Sequence, residues 1–146
     1  MTATPDPDSA VVRLCVDGMA AESDGRPGDA LALFRQAWEA STDDYEACIA
    51  AHYVARHQAD PDEALRWSRV ALERALAVGD DDRIAGFLPS LHLDVGAAHE
   101  SRGETVRARA HYASASERLA AVPAGPYRKL VESGLRTALH RVAAGP

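Results

Sequence analysis

Six histidines are the residues of this chain best suited to metal chemistry, because a neutral imidazole is a common metal ligand. They are His52, His57, His92, His99, His111 and His140. The sequence contains no His-Glu-x-x-His motif, the spacing that brings two imidazoles together around zinc on one helix face. His92 and His99 are seven residues apart and share a helix face with Val95. We therefore predict that they pack or cap, and we expect neither metal nor cofactor.

Motifs for nucleophilic or acid–base catalysis are equally sparse. Cys15 and Cys48 lie 33 residues apart in apolar stretches, without the spacing of a zinc site or a disulfide framework. We predict buried free thiols of a reducing compartment, and a cysteine nucleophile or redox pair stays open as an alternative. Three aspartates at residues 80–82 are typical of a helix start. No Gly-x-Ser-x-Gly motif or glycine-rich phosphate loop occurs, so we predict no catalytic residue and no enzyme.

Length and composition are those of one ordinary globular domain. The chain has 146 residues, of which 47% are apolar and 26% charged, and its net charge is −6. These values exclude a disordered tail and disfavour non-specific nucleic-acid binding. No apolar run reaches the roughly 18 residues of a membrane span, and residues 1–6 lack the features of a secretory signal, so we expect a cytoplasmic protein. Lys129 is the one lysine among many arginines and alanines, a composition that resembles high-GC bacterial proteins.

Small and aromatic residues recur at fixed intervals, which indicates an internal repeat. Gaps of 7, 5, 4 and 3 residues separate the members of three sets. The sets are Gly18, Gly25, Ala30, Phe34 and Ala37; His52, Ala59, Ala64, Ser68 and Ala71; and Gly96, Gly103, Ala108, Tyr112 and Ala115. Their offsets are 34 and 44 residues. We therefore predict repeats over about 11–44, 45–78 and 89–122, with an extension over 79–88.

Each copy has the apolar spacing of two helices joined by a turn. Asp60 and Pro61 form a strong helix start, since aspartate caps free N–H groups and proline suits the first helical position. For residues 79–88 we predict a lengthened first helix of the third copy, kinked at Pro89. An amphipathic helix over about 126–143 then covers the last apolar face of the array.

The spacing resembles the tetratricopeptide repeat, which has a 34-residue period, a small residue in its first helix, a glycine at the turn, and an aromatic between two alanines in its second helix. The resemblance covers roughly residues 11–122. The middle copy departs from it, because His52 replaces the small residue and Ser68 the aromatic. The resemblance implies an all-α fold, an α/α superhelix of three hairpins plus a capping helix. We predict seven helices in a single domain, residues 1–146, with frayed ends at 1–7 and 144–146.

In the family that this spacing resembles, the first helix of each hairpin lines a concave groove that binds peptides or proteins. The residues that we predict to bind a partner in this groove are Met19, Glu22, Ile49, Tyr53, Arg56, His57, Leu93, Ala97 and Glu100. Met19 and Tyr53 would anchor an apolar side chain and Arg56 would orient the partner. Family members that clamp a C-terminal carboxylate carry polar residues where this chain has Met19, Tyr53 and Ala97, which disfavours a chaperone-tail receptor. The predicted function is a non-catalytic adaptor or scaffold.

Three alternatives stay open. The terminal helix could cover part of the groove lining. Residues 84–93, which include Phe87 and Leu88, could form the interface of a homodimer. The groove could also be a small-molecule or catalytic pocket, lined by Cys15, Glu22, Tyr53 and His57.

Overall fold

The computed structural model describes residues 9–143 of the chain. All regular secondary structure in this range is helical, with eight α-helices and one short 3-10 helix. The helices form two compact units that divide after Gly79. The predicted all-α class is confirmed, whereas the ends predicted to fray, 1–7 and 144–146, lie outside the described residues.

Unit 1, residues 9–79, consists of two helical hairpins. Its helices are α1 (Ala10–Ser23), α2 (Pro27–Ala40), α3 (Asp44–Ala55) and α4 (Pro61–Val78). α1 packs on α2, α3 packs on α4, and α2 packs on α3 between the hairpins. Ser9, Asp43 and Asp60 accept hydrogen bonds from backbone N–H groups at the starts of α1, α3 and α4. The predicted helix start at Asp60 is therefore confirmed.

Close packing inside the first hairpin depends on Gly18. A Cβ at this position would lie 2.3 Å from the Phe34 ring, so any side chain there would force α1 and α2 apart. Ala30 and Ala37, which flank Phe34 on α2, are fully buried. The small residues of the repeat pattern therefore lie around the aromatic ring in this hairpin.

Unit 2, residues 80–143, begins with a short helix and ends with a long one. Its elements are α5 (Asp82–Ala85), α6 (Leu88–Ser101), α7 (Thr105–Glu117), the 3-10 helix (Leu119–Ala121) and α8 (Pro126–Ala143). α7 packs on both α6 and α8. A Cβ on Gly96 would lie 2.5 Å from the Tyr112 ring. The hairpin of α6 and α7 therefore repeats the glycine–ring contact of the first hairpin.

The prediction of one long helix kinked at Pro89 is wrong. Two helices, α5 and α6, form in this stretch, and Pro89 lies in the first turn of α6. Proline has no N–H to donate, and the first turn of a helix leaves that group without an intrahelical partner in any case. The helix therefore begins at Leu88 with the proline in its first turn instead of bending there, and the described range holds eight α-helices rather than seven. Asp81 caps α5 by accepting from the N–H of Arg83, as the aspartate run predicts.

Candidate functional site

The predicted groove residues of α1 and α3 contact each other in pairs. The Tyr53 hydroxyl donates to the Met19 sulfur at 3.4 Å, and Nη2 of Arg56 lies 2.8 Å from both carboxylate oxygens of Glu22. Each pair is 34 residues apart in the chain, which is the predicted offset of the first two copies. Equivalent positions of these copies are therefore neighbours in space.

Glu22 is the acidic residue that the basic side chains near the end of α3 contact. Besides the Arg56 guanidinium, Nε2 of His57 lies 2.6 Å from its carboxylate. The side chains of Glu22 and His57 are 18% and 16% exposed, whereas that of Arg56 is 45% exposed. Because two side chains already engage the carboxylate, an incoming ligand would meet Arg56 rather than Glu22.

Phe34 connects this ion-pair cluster to the core of unit 1. Its ring stacks on Tyr53 with the centroids 4.9 Å apart and on His57 with the centroids 5.6 Å apart. Cζ of Arg56 lies 5.0 Å from the Tyr53 centroid, which is a cation–π distance. Phe34 is fully buried, so it holds both rings in place. Sequence spacing places Phe34 in the repeat pattern, but it carries no signal for the rings that stack on it.

Ile49 completes this part of the predicted site, since it is half-buried and packs against the same core as Met19 and Tyr53. We call the six residues the α1–α3 face: Met19, Glu22, Ile49, Tyr53, Arg56 and His57. The structure brings five of them into side-chain contact with another member or with Phe34, and it places the sixth on the same core cluster.

In unit 2, Glu100 occupies the position equivalent to Glu22, 78 residues further along the chain. Its carboxylate accepts from the Tyr112 hydroxyl at 2.6 Å and from Arg141 of α8 at 2.5 and 2.9 Å. The Arg141 hydrogen bond, more than that of Tyr112, holds the pKa of Glu100 below its usual range. Burial, with a smaller contribution from Glu100, raises the pKa of Tyr112 to about 12. Glu100 thus links α8 to α6 and α7.

The other two predicted groove residues of α6 have different surroundings. Leu93 packs against the cluster formed by α7 and α8, and a Cβ on Gly134 of α8 would lie 3.4 Å from its side chain. Ala97 is exposed. The terminal helix therefore contacts Leu93 and Glu100, as one of the alternatives anticipates, and partner binding by these α6 residues stays a prediction.

Three histidines contact one another in unit 2, of which His92 and His99 are buried and His111 is half-buried. The Nδ1 atoms of His92 and His111 are 3.1 Å apart, and the His99 ring stacks on His111 with the centroids 5.5 Å apart. Nδ1 of His99 also lies 3.0 Å from Glu104. Burial, together with Arg118 and His111, lowers the pKa of His92 to about 4. The predicted packing role of His92 and His99 is confirmed, and residues 9–143 contain no group of three or more side chains placed to hold a metal.

Cys15 and Cys48 are both buried and unlinked, as predicted. Burial raises the pKa of the Cys15 thiol to about 11 and that of the Cys48 thiol to about 12. The thiolate is the reactive form of cysteine. At neutral pH these residues therefore act as small apolar side chains of the unit 1 interior.

A surface depression of about 520 Å³ lies where α2 joins α3, a place for which the sequence predicts only a turn. Its lining is Trp38, Glu39, Ser41, Thr42, Asp43, Asp44, Ala47 and Arg74. None of these residues belongs to the α1–α3 face. A tryptophan followed by acidic residues is visible in the sequence, but the contribution of Arg74, from a later helix, cannot be read from local spacing.

Comparison of the chain with protein-family models, curated proteins and solved structures finds no match. Within residues 9–143, no helix is both long enough and apolar enough to cross a bilayer. The fold and the site together define the class, which is an all-α protein of packed helical hairpins. Its first unit presents a face in which equivalent residues of α1 and α3 pair.

Proposed function

We propose that this chain is a cytoplasmic, tetratricopeptide-like adaptor that holds a segment of a partner protein on the α1–α3 face and catalyses no reaction. The observation that carries the proposal is the pairing of Met19 with Tyr53 and of Glu22 with Arg56 across one repeat offset. Repeat proteins use such aligned first helices as a continuous binding surface.

The chemistry of the face favours a partner segment with an apolar side chain beside an acidic group. Met19 and Tyr53 are half-buried and packed on the core, so they need little ordering when a ligand arrives. Arg56 lies at the edge of this apolar area and is exposed. A guanidinium has five N–H donors, so Arg56 can donate to a partner carboxylate while it keeps its contact with Glu22.

Quantitative affinity purification with variant baits tests this proposal. Arg56→Gln removes the exposed cation but keeps a polar side chain, and Tyr53→Leu keeps an apolar side chain without the ring. We expect each variant to recover about tenfold less of the partner, the effect of losing one charge-assisted contact or one anchor.

Arg69→Gln is the matched control, because Arg69 is an exposed arginine on α4 outside the α1–α3 face. Circular dichroism of all three variants must show the helical content of the unsubstituted chain. Equal recovery of every prey with the Arg56→Gln, Tyr53→Leu and Arg69→Gln baits would refute binding at this face.

A further inference from the structure

The depression at the α2–α3 junction is separate from the α1–α3 face. α3 begins at Asp44, beside the depression, and Arg56 is its C-terminal cap. These two points are therefore about 18 Å apart along the helix. The depression has a volume of about 520 Å³, within the roughly 300–1,000 Å³ of sites that hold small ligands.

One wall of the depression is aromatic and its rim is acidic. Trp38 is the aromatic wall, and its ring meets the Trp67 ring edge to face with the centroids 5.2 Å apart. Glu39, Asp43 and Asp44 supply three carboxylates, against one cationic side chain, Arg74. The lining therefore carries an excess of two negative charges beside an aromatic face, and both features attract a cation.

Arg74 shows how a guanidinium is held at this place. Its Cζ lies 5.7 Å from the Trp38 centroid, and its Nη1 donates to Asp44 at 3.0 Å. A planar guanidinium can stack and donate at the same time, which a compact ammonium does less well. Because Arg74 is part of the lining, the open volume is additional to the space that its own side chain fills.

We propose that the depression binds an arginine side chain of a partner protein, between Trp38 and the carboxylates of Glu39 and Asp43. Asp44 neutralises Arg74, so the incoming guanidinium meets the remaining carboxylates. Glu39 is exposed, and Asp43 uses one oxygen, Oδ1, to cap α3 and keeps the other for a ligand. The proposal does not depend on the α1–α3 face, and either site can fail its test without the other.

Intrinsic fluorescence reports directly on this site, because the two tryptophans of the chain, Trp38 and Trp67, contact each other beside it. The full chain is titrated with the peptide acetyl-Gly-Arg-Gly-amide at low, constant ionic strength. Peptides with citrulline or lysine in place of arginine serve as the neutral isostere and the compact cation. We expect saturable binding of the arginine peptide, about tenfold tighter than the citrulline peptide and roughly threefold tighter than the lysine peptide. Equal affinity for arginine and citrulline overturns the proposal.

Two substitutions with opposite expected effects separate binding from loss of structure. Glu39→Gln removes one rim carboxylate and should weaken binding of the arginine peptide roughly threefold, whereas Glu117→Gln, the same change at an exposed site of unit 2, should leave it unchanged. Arg74→Ala vacates Trp38 and Asp44, and it should tighten binding about tenfold. A merely destabilised protein would lose affinity. An unchanged affinity in Glu39→Gln, or a weaker one in Arg74→Ala, overturns the proposal.

Discussion

At the scale of single residues, the first and third copies of the repeat differ in the side chain that gives their glutamate a second hydrogen-bond partner. Phe34 and Tyr112 occupy equivalent positions 78 residues apart. The Tyr112 hydroxyl donates to Glu100, whereas a phenylalanine has nothing to donate. His57, which stacks on Phe34, contacts Glu22 instead. A neighbouring imidazole therefore replaces the missing hydroxyl, and each glutamate keeps a second partner besides its arginine.

The buried His92 makes the stability of unit 2 dependent on pH. In the folded state its pKa is lowered to about 4, mainly by burial and further by Arg118 and His111, against about 6.5 in an unfolded chain. Folding therefore favours the neutral ring. The stability that this contributes is present above pH 6.5 and is lost as the pH falls towards 4. Between pH 7.5 and pH 5 we expect a loss of about 2 kcal/mol in the free energy of unfolding.

Urea denaturation of the unsubstituted chain and of His92→Gln at both pH values measures this contribution. Carboxylates with lowered pKa values, such as Glu100 and Glu46, also lose stabilising contacts in acid, but they are present in both proteins. The difference between the two pH dependences therefore belongs to His92 and the groups around it. Identical pH dependences in the two proteins would contradict the prediction.

At the scale of helical elements, close packing of the two helices in a hairpin depends on a glycine, because a residue without a side chain lets the helices approach. Gly18 faces the Phe34 ring and Gly96 faces the Tyr112 ring. A Cβ added to either glycine would overlap the ring that it faces. Glycine in a helix interior costs roughly 0.5–1 kcal/mol relative to alanine. These two positions accept that cost because the aromatic ring occupies the space of the missing side chain.

The effect of a Gly→Ala substitution on the free energy of unfolding should therefore change sign with position. Gly18→Ala and Gly96→Ala gain helix propensity but overpack the hairpins, and we expect a net destabilisation of about 1–3 kcal/mol. Gly134→Ala, in the interior of α8, brings its Cβ to 3.4 Å from Leu93, which is an ordinary contact. There we expect a gain of about 0.5–1 kcal/mol. Thermal and urea unfolding of the three variants gives the comparison, and a stabilised Gly18→Ala would refute the close contact.

At the scale of the whole chain, the pattern of small residues was enough to predict the helical hairpins. It works because close helix packing requires small side chains at particular positions, and their spacing then records which helices meet. It failed at Pro89, because proline is equally compatible with a kink and with a first turn. Only the surrounding packing decides between the two.

The candidate sites show the same limit. Two contacts were predictable because each joins residues one repeat offset apart, namely Met19 with Tyr53 and Glu22 with Arg56. The contact of Arg74 with Trp38 was not predictable, since it joins α4 to α2 of the other hairpin without any repeated spacing. Its ion pair with Asp44, within the second hairpin, likewise follows no repeated spacing. Side-chain pairs of this kind become visible only when the rotation of each helix is known.

Each of the two equivalent glutamates forms an ion pair with an arginine, although the arginines lie 34 and 41 residues further along the chain. Glu22 pairs with Arg56 of α3, and Glu100, its equivalent, pairs with Arg141 of α8. Both pairs are partly exposed, so each should contribute a coupling energy of about 0.5–1 kcal/mol. Double-mutant cycles with Glu→Gln and Arg→Gln, followed by urea unfolding, measure the two values, and 1 M NaCl should reduce both. If one pair couples and the other does not, the two glutamates are equivalent in sequence position but not in their contribution to the free energy of unfolding.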